Sequence, residues 1–264
     1  MPLTVFQERI AHLLAGNRDA GSYLAGGAAL HLDANSLRFS DDLDFFHDSV
    51  ERVAVAFELD RQLLEAEGMT VDREMAQPGY IWAVVGAGTQ QTKVEWAHDS
   101  AWRFLPVVAD TRVGFRLHPV DLAINKLLAL VGRDEARDFL DVLEIDRRVL
   151  SLGALCWAAA GKDPGFTPLS LLDLLRRRGK YHPEDFFRLH LARTVDVQEI
   201  KGRWLGMLDE AERFIRSRPS DEIGCLYYSP SRNVFVAPLD GQDPDAVPHF
   251  GRPGGILPRV LEDS

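Results

Sequence analysis

The sequence predicts an α+β fold, in which a sheet flanked by helices is followed by a mainly helical region and a short β-hairpin. Short segments in the first 117 residues alternate apolar and polar side chains with the two-residue period of strands, as in residues 42–45. Beyond residue 118, apolar residues recur every three or four positions, which is the period of an amphipathic helix. The two patterns divide the chain into a strand-rich and a helix-rich part.

The first 117 residues contain most of the predicted strands. Helices are expected at residues 3–15, 28–33 and 50–66, and strands at 22–25, 42–46, within 69–96 and at 113–117. Residues 80–85 are strongly β-prone because they combine Tyr, Ile, Trp and Val. We expect Gly68 to end the third helix.

The remainder is predicted to be mostly helical. Pro119 suits the first turn of a helix, where an N–H would have no partner. Helices are expected at 120–131, 134–149, 151–160, 169–178 and 196–216. We expect Gly132 to separate the first two helices. Strands are expected at 223–228 and 234–237. Residues 239–264 are rich in Gly, Pro and Asp and are expected to be extended or partly disordered. We therefore divide the chain into a core at 1–117, a helical region at 118–218, and a hairpin with a tail at 219–264.

Composition limits the class of protein. The 264 residues are 46% hydrophobic, which is ample for a core, and the formal net charge is −10. Such a chain would meet a nucleic acid through a local basic patch or a metal ion, because general affinity comes from neutralising phosphates. Cys156 and Cys225 lie far apart, which fits a reducing cytoplasm and argues against a disulfide scaffold. The first 16 residues are amphipathic and no run has the length of a membrane span, so we expect a cytoplasmic protein without a membrane partner.

Several enzyme classes are excluded by missing motifs. The sequence has no phosphate-binding P-loop, no Gly-x-Gly-x-x-Gly fingerprint and no Gly-x-Ser-x-Gly elbow. Its eight histidines are scattered without the spacing of metal ligands. Asp, Glu, Lys and Gly therefore carry the chemistry.

The strongest candidate site combines a glycine pair with an acidic strand. Asp42 and Asp44 alternate with apolar residues and should project together from one face of a strand. Two adjacent carboxylates repel each other unless a divalent cation lies between them, and their oxygens suit Mg²⁺ or Mn²⁺. Gly26 and Gly27 would let the backbone approach a phosphate closely. Taken alone, Asp-x-Asp on a solvated strand face and Gly-Gly in a turn are common.

Glu95 is a candidate third carboxylate. Thr92, Val94 and Trp96 should face one way and Lys93 and Glu95 the other, on a strand that could neighbour the strand of Asp42 and Asp44. A solvated Lys/Glu face is an equally good interpretation of the pattern.

Lys126 and Asp141 lie on two helices joined by a short turn, which should therefore be antiparallel. Their distances from Gly132 place them at comparable heights on neighbouring helices. A plain ion pair is the simplest interpretation of this arrangement.

Residues 26–30 and 38–46 together resemble the first motif of polymerase-β-type nucleotidyltransferases. The resemblance is closer to the AbiEii/AbiGii-type nucleotidyltransferase toxin family and extends over roughly residues 20–145, with Lys126-Leu127 and residues 133–141 matching the later motifs. It implies a polymerase-β-like core, built as a small mixed sheet flanked by helices. It also implies metal-dependent transfer of a nucleoside monophosphate from an NTP to an acceptor, with release of pyrophosphate.

The resemblance also implies residue roles. The implied metal ligands are Asp42, Asp44 and Glu95, although the third acid of the superfamily is usually Asp. The implied nucleotide-binding residues are Gly26, Gly27, Arg38, Ser40 and Lys126. Asp141 would be a second essential acid, with Asp138 as the alternative that the sequence leaves open.

The acceptor and partners are expectations from the same resemblance. It implies the toxin of a bacterial toxin–antitoxin pair, with an antitoxin protein as partner and tRNA as acceptor. The basic run Arg176, Arg177, Arg178 and Lys180 is a candidate RNA-facing patch, although basic residues at a helix end also complement its dipole. The net charge of −10 favours a cationic small acceptor such as an aminoglycoside. A third hypothesis is that the protein is an inactive nucleotidyltransferase-like binding protein.

Overall fold

A computed structural model describes residues 3–32, 36–238 and 244–258. These residues form two compact units. The first unit contains the described residues up to 118 together with 190–193 and 253–255, and the second contains the other described residues. The first unit is therefore built from three separate stretches of sequence.

The first unit is organised by a mixed sheet of seven strands in the order β3-β4-β5-β2-β1-β8-β7. Strand β2 runs parallel to β5 and antiparallel to β1. The strands are β1 (Ser22–Ala25), β2 (Asp42–His47), β3 (Thr70–Gln77), β4 (Tyr80–Ala87), β5 (Gln90–His98), β7 (Val108–Asp110) and β8 (Gly114–Arg116), with a separate short β6 (Trp102–Arg103). The α+β class and the mixed sheet are confirmed.

Three helices accompany this sheet, namely α1 (Val5–Leu14), α2 (Gly26–Leu30) and α3 (Val50–Ala66). Thr4 begins α1 with a capping box, in which its side chain and that of Gln7 each accept from the other's backbone N–H. Ser49 caps α3 by accepting from the backbone of Arg52. Helix α2 begins at Gly26, two residues earlier than expected, and the expected end at Asp33 lies outside the described residues.

The buried faces of β2 and β5 pack against a buried ion pair. The guanidinium of Arg18 lies 4.5 Å from the centre of the Phe45 ring and pairs with Asp60 at 2.5 Å. Asp60 also accepts a hydrogen bond of 2.7 Å from the indole of Trp96. Because both charges are paired and hydrogen-bonded, this arrangement fixes the back of the two strands without leaving a buried charge uncompensated.

The second unit is mostly helical. Helix α6 packs against α4, α7 and α9, and β9 pairs antiparallel with both β10 and β11. The elements are α4 (Pro119–Arg133), α5 (Ala136–Arg148), α6 (Leu152–Lys162), α7 (Pro168–Leu175), α8 (Pro183–Phe187), α9 (Val197–Ser217), β9 (Leu226–Ser229), β10 (Val234–Val236) and β11 (Val247–His249). The two-residue β12 (Arg252–Pro253) has one residue in each unit. Across the described ranges, no helix is both long and apolar enough to cross a membrane.

The structure differs from the sequence-based expectation at several places in this unit: α8 was not expected, α7 ends at Leu175 and not at residue 178, and two further differences have a plain physical reason. Gly132 does not break the helix: α4 continues to Arg133, and Asp134 follows with a left-handed φ of 50°. A glycine near a helix end costs only about 1 kcal/mol, which packing of the apolar face of α4 outweighs. Strand β11 was not expected, because three residues containing a proline carry little strand pattern and its pairing with β9 is long-range. Residues 239–243 and 259–264 of the expected tail lie outside the described residues.

Candidate active site

Three carboxylates meet on the open face of the sheet. In the parallel register of β2 and β5, Asp44 lies opposite Glu95, and Asp42 lies opposite Lys93. One oxygen from each of Asp42, Asp44 and Glu95 lies within 4.8 Å of the other two, and all three residues are half-buried. The structure therefore brings together the three acids that the sequence analysis selected.

The donor set suits a hard divalent cation. Magnesium binds oxygen at about 2.1 Å, so two oxygens on opposite sides of one ion lie about 4.2 Å apart. The three carboxylate oxygens lie within 4.8 Å of one another, so small adjustments of the side chains would let all three reach one ion. Asp42, Asp44 and Glu95 are thus the residues that could hold such an ion.

Gly26 adjoins these acids and could not carry a side chain. Its φ is +61°, and a Cβ added to it would lie 1.7 Å from Oδ2 of Asp44. The close approach follows from the pairing of β1 and β2, in which Ala25 lies opposite Asp44. Glycine is required here for both the backbone conformation and the space that the carboxylate occupies.

Gly27, Ser40 and Arg38 lie together beside this point. A Cβ on Gly27 would lie 2.9 Å from the Ser40 hydroxyl and 3.2 Å from Nη2 of Arg38. The Ser40 hydroxyl donates a hydrogen bond of 3.0 Å to the carbonyl of Asp42. The buried Arg38 donates to the carbonyl of Phe39 at 3.0 Å. The residues selected for nucleotide binding in this unit therefore form one group.

The loop that carries Ser40 is fixed from two sides. The side-chain amide of Gln7 donates to the Ser40 carbonyl at 3.1 Å and to the Thr92 hydroxyl at 3.2 Å. The backbone N–H of Phe39 donates to the carbonyl of His190 at 2.8 Å. The segment 190–193, which belongs to the same unit, thus holds the approach to β2.

Two neighbours of the acids were not selected by the sequence analysis. The Tyr80 hydroxyl hydrogen bonds to Glu95, and burial together with the negative charges of Glu95, Asp44 and Asp42 raises the pKa of Tyr80. The ammonium of Lys93 pairs with the Glu95 carboxylate and lies 4.9 Å from the centre of the Trp82 ring. The two-residue period of β4 would have placed Tyr80 and Trp82 on one face, but only the register of β4 with β5 places that face beside Glu95.

In the second unit, Lys126 lies between two buried acids. Its ammonium is 3.0 Å from Asp141 and 3.3 Å from Asp138. Asp138 also forms an ion pair with Arg133, whose Nε lies 2.6 Å from its carboxylate. Both side chains proposed as the later essential acid therefore contact Lys126, and both carboxylates are almost fully buried.

The basic run of this unit is partly committed to ion pairs. Arg176 pairs with Glu212 and Asp173, and Arg178 pairs with Asp134 at 3.2 Å. Arg177 and Lys180 are exposed to solvent. Of the four charges, Arg177 and Lys180 are those most open to an outside partner.

Comparisons with known proteins give the fold. No protein-family model matches the chain, and no curated protein matches it in sequence. Among solved structures it is similar to MenT4, a nucleotidyltransferase toxin from Mycobacterium tuberculosis H37Rv, with a TM-score of 0.54 and 20% identity over 82% of this chain and 84% of that one. It is also similar to JHP933 from Helicobacter pylori, with a TM-score of 0.48 and 17% identity over 80% of this chain and 90% of that one. The likeness to MenT4 shows that the chain has the fold of a nucleotidyltransferase.

Proposed function

We propose that the protein is a metal-dependent nucleotidyltransferase that moves a nucleoside monophosphate from an NTP to an acceptor. The observation that carries the proposal is the convergence of Asp42, Asp44 and Glu95 beside a glycine that could bear no side chain. A fold shared with a nucleotidyltransferase toxin supports it. In this role the three acids would hold Mg²⁺ or Mn²⁺, which would offset the charge that develops on the oxygens around the transferred phosphorus.

The glycine pair and its neighbours would bind the triphosphate. Gly26 and Gly27 open α2 without side chains, so a phosphate could approach their backbone closely. Ser40 and Arg38 lie against Gly27 and would supply a hydroxyl and a positive charge. The role of Lys126 on the triphosphate stays a prediction from the sequence resemblance; within its own unit its ammonium is held by Asp141 and Asp138.

The transfer itself needs one oxygen–phosphorus bond to form and one to break. The acceptor hydroxyl attacks the α-phosphorus, the bond to the bridging oxygen of pyrophosphate breaks, and the hydroxyl proton passes to a carboxylate. We assign this proton to Glu95, whose carboxylate lies beside those of Asp42 and Asp44 on the strand next to β4.

The acceptor that we propose is tRNA, with the protein acting as the toxin of a toxin–antitoxin pair. The sequence resemblance supports tRNA as acceptor, and the toxin described for MenT4 supports the toxin role. The exposed Arg177 and Lys180, together with Arg176 and Arg178, would contribute positive charge toward the RNA.

Labelled NTPs test the proposal. The protein is incubated with Mg²⁺ or Mn²⁺ and each α-labelled NTP, with total tRNA, with aminoglycosides and without acceptor. Label on tRNA supports the proposed acceptor, and label on an aminoglycoside supports a small-molecule enzyme, which the net charge of −10 would favour. No transfer in any arm, combined with no Mn²⁺ binding by calorimetry, would leave an inactive binding protein.

A further inference from the structure

We propose that Trp82 and Tyr80 form a stacking platform for the 3′-terminal base of a single-stranded RNA acceptor. The inference rests on the proposed function and goes further by assigning the acceptor a class and a place. Both side chains belong to β4, two residues apart, so they lie on the same face of the sheet. That face is the one that carries Asp42, Asp44 and Glu95.

The register of the sheet places this platform next to the acids. Trp82 lies directly opposite Glu95 in the antiparallel pairing of β4 with β5. Paired strands are about 4.8 Å apart, so the ring begins one strand spacing from the carboxylate. Tyr80 reaches the same carboxylate with its hydroxyl. A base on these rings would bring its ribose hydroxyls toward Glu95.

Trp82 differs from the structural tryptophan on the other face of the sheet. Trp96 is fully buried, donates to Asp60 and packs edge-on against Phe57 at 5.1 Å. Trp82 is half-buried, and among the described residues its aromatic contact is with the ammonium of Lys93, 4.9 Å from the ring centre. The part of this half-buried indole that solvent reaches would be the surface on which a planar ligand stacks, with the Lys93 ammonium already over the ring.

The strand order assigns the platform to the acceptor and not to the NTP. The glycine pair follows β1, which adjoins β2 on one side, whereas β4 lies beyond β5 on the other side. The phosphate-binding residues and the aromatic pair therefore flank the acids from opposite directions. With the triphosphate at Gly26 and Gly27, the aromatic side is where the attacking hydroxyl would arrive.

Single-stranded RNA fits this surface better than the alternatives do. Bases stack on exposed aromatic rings in single-strand-binding proteins, and sheets that bind RNA present aromatic residues in this way. The Lys93 ammonium lies next to the ring and would turn from Glu95 toward the 5′-phosphate of the stacked nucleotide. A polycationic aminoglycoside would be attracted by the three carboxylates, but it has no planar group that could stack on the two rings.

Binding of RNA without NTP tests the platform. A short dye-labelled RNA ending in CCA is titrated with the full chain in Mg²⁺, and anisotropy gives the Kd. We expect Trp82→Leu to weaken binding by about 5- to 160-fold, since one base stack contributes about 1–3 kcal/mol. Trp82→Phe, which keeps a ring, should bind within a few-fold of the parent, and circular dichroism checks the fold of both variants. The matched control is Trp102→Leu, because Trp102 is also half-buried but packs against Phe104.

Kinetics separate this inference from the proposed function. With tRNA as acceptor, Trp82→Leu should raise KM for tRNA and leave KM for the NTP unchanged. Equal RNA affinity for Trp82→Leu and the parent, or a rise in KM for the NTP alone, would overturn the platform while the transferase stands. RNA binding that depends on Trp82 in a protein that transfers no nucleotide would support the platform and refute the transferase.

Discussion

The requirement for glycine at position 26 gives the sharpest test of the site, because the chain contains a matched control. Gly26 and Gly88 have nearly the same backbone conformation, with φ of +61° and +62°. Alanine in this left-handed region costs about 1–2 kcal/mol at either position. A Cβ at Gly88 meets nothing within 4 Å, whereas at Gly26 it would lie 1.7 Å from Oδ2 of Asp44.

The collision sets the expected size of the effect. Since Cβ atoms do not approach other heavy atoms within 3.0 Å, the Asp44 oxygen must move from 1.7 Å to at least that distance, by about 1.3 Å. A misplacement of 1 Å in a reacting group can cost about 100-fold in rate. We therefore expect Gly26→Ala to lose at least about 100-fold in kcat/KM and to bind Mn²⁺ more weakly.

Stability and activity are measured separately in the two variants. Urea unfolding should give both alanine variants a similar loss of stability, while label transfer and Mn²⁺ calorimetry should change strongly in Gly26→Ala and little in Gly88→Ala. If the two variants were equally active and bound Mn²⁺ equally, the close approach of Gly26 to Asp44 would have no part in the site.

Three further predictions concern the acids, a buried histidine and the buried ion pair. Asp44→Asn should abolish transfer and weaken Mn²⁺ binding, whereas Asp72→Asn on the exposed β3 should keep both; activity in the first variant would refute the metal assignment. Burial lowers the pKa of His47 from 6.5 to about 3, so between pH 6.5 and 5 the unfolded chain takes up a proton that the folded chain does not. The free energy of unfolding should therefore fall by about 2 kcal/mol over that window. In His47→Leu this loss should be absent when urea unfolding at pH 5 is compared with urea unfolding at pH 7. Asp60→Ala should lower the free energy of unfolding by about 3–5 kcal/mol, because it leaves the buried Arg18 without its partner. The control Asp19→Ala breaks an exposed ion pair of the same 2.5 Å length and should cost under about 1 kcal/mol. Similar losses in the two variants, measured by urea unfolding, would contradict this account.

Local pattern was enough to find the strand faces on which the three acids lie. The two-residue period of β2 and β5 gave the faces of Asp42, Asp44 and Glu95, and the structure brings their oxygens together. Whether β2 and β5 are neighbours is a long-range question, because 48 residues of chain separate Asp42 from Gln90. The sequence could therefore suggest Glu95 as a ligand but could not distinguish it from a solvated strand face.

Other parts depend on contacts that no local pattern encodes. The link from Tyr80 to Glu95 requires the register of the β4–β5 hairpin, which its two-residue loop at Gly88 determines. The hydrogen bond from Phe39 to His190 joins residues about 150 positions apart, and neither has a pattern that would reveal it. Helix α4 runs through Gly132 because packing outweighs a weak local preference.

The segment 190–193 has a consequence for how the protein is made. Leu37 and Phe39 exchange backbone hydrogen bonds with Ala192 and His190. A nascent chain that has emerged only as far as residue 118 holds every acid of the open face, yet the loop before β2 still lacks these bonds. A shortened N-terminal fragment would have the same gap, so recombinant versions that end at the unit boundary should leave that loop unsupported.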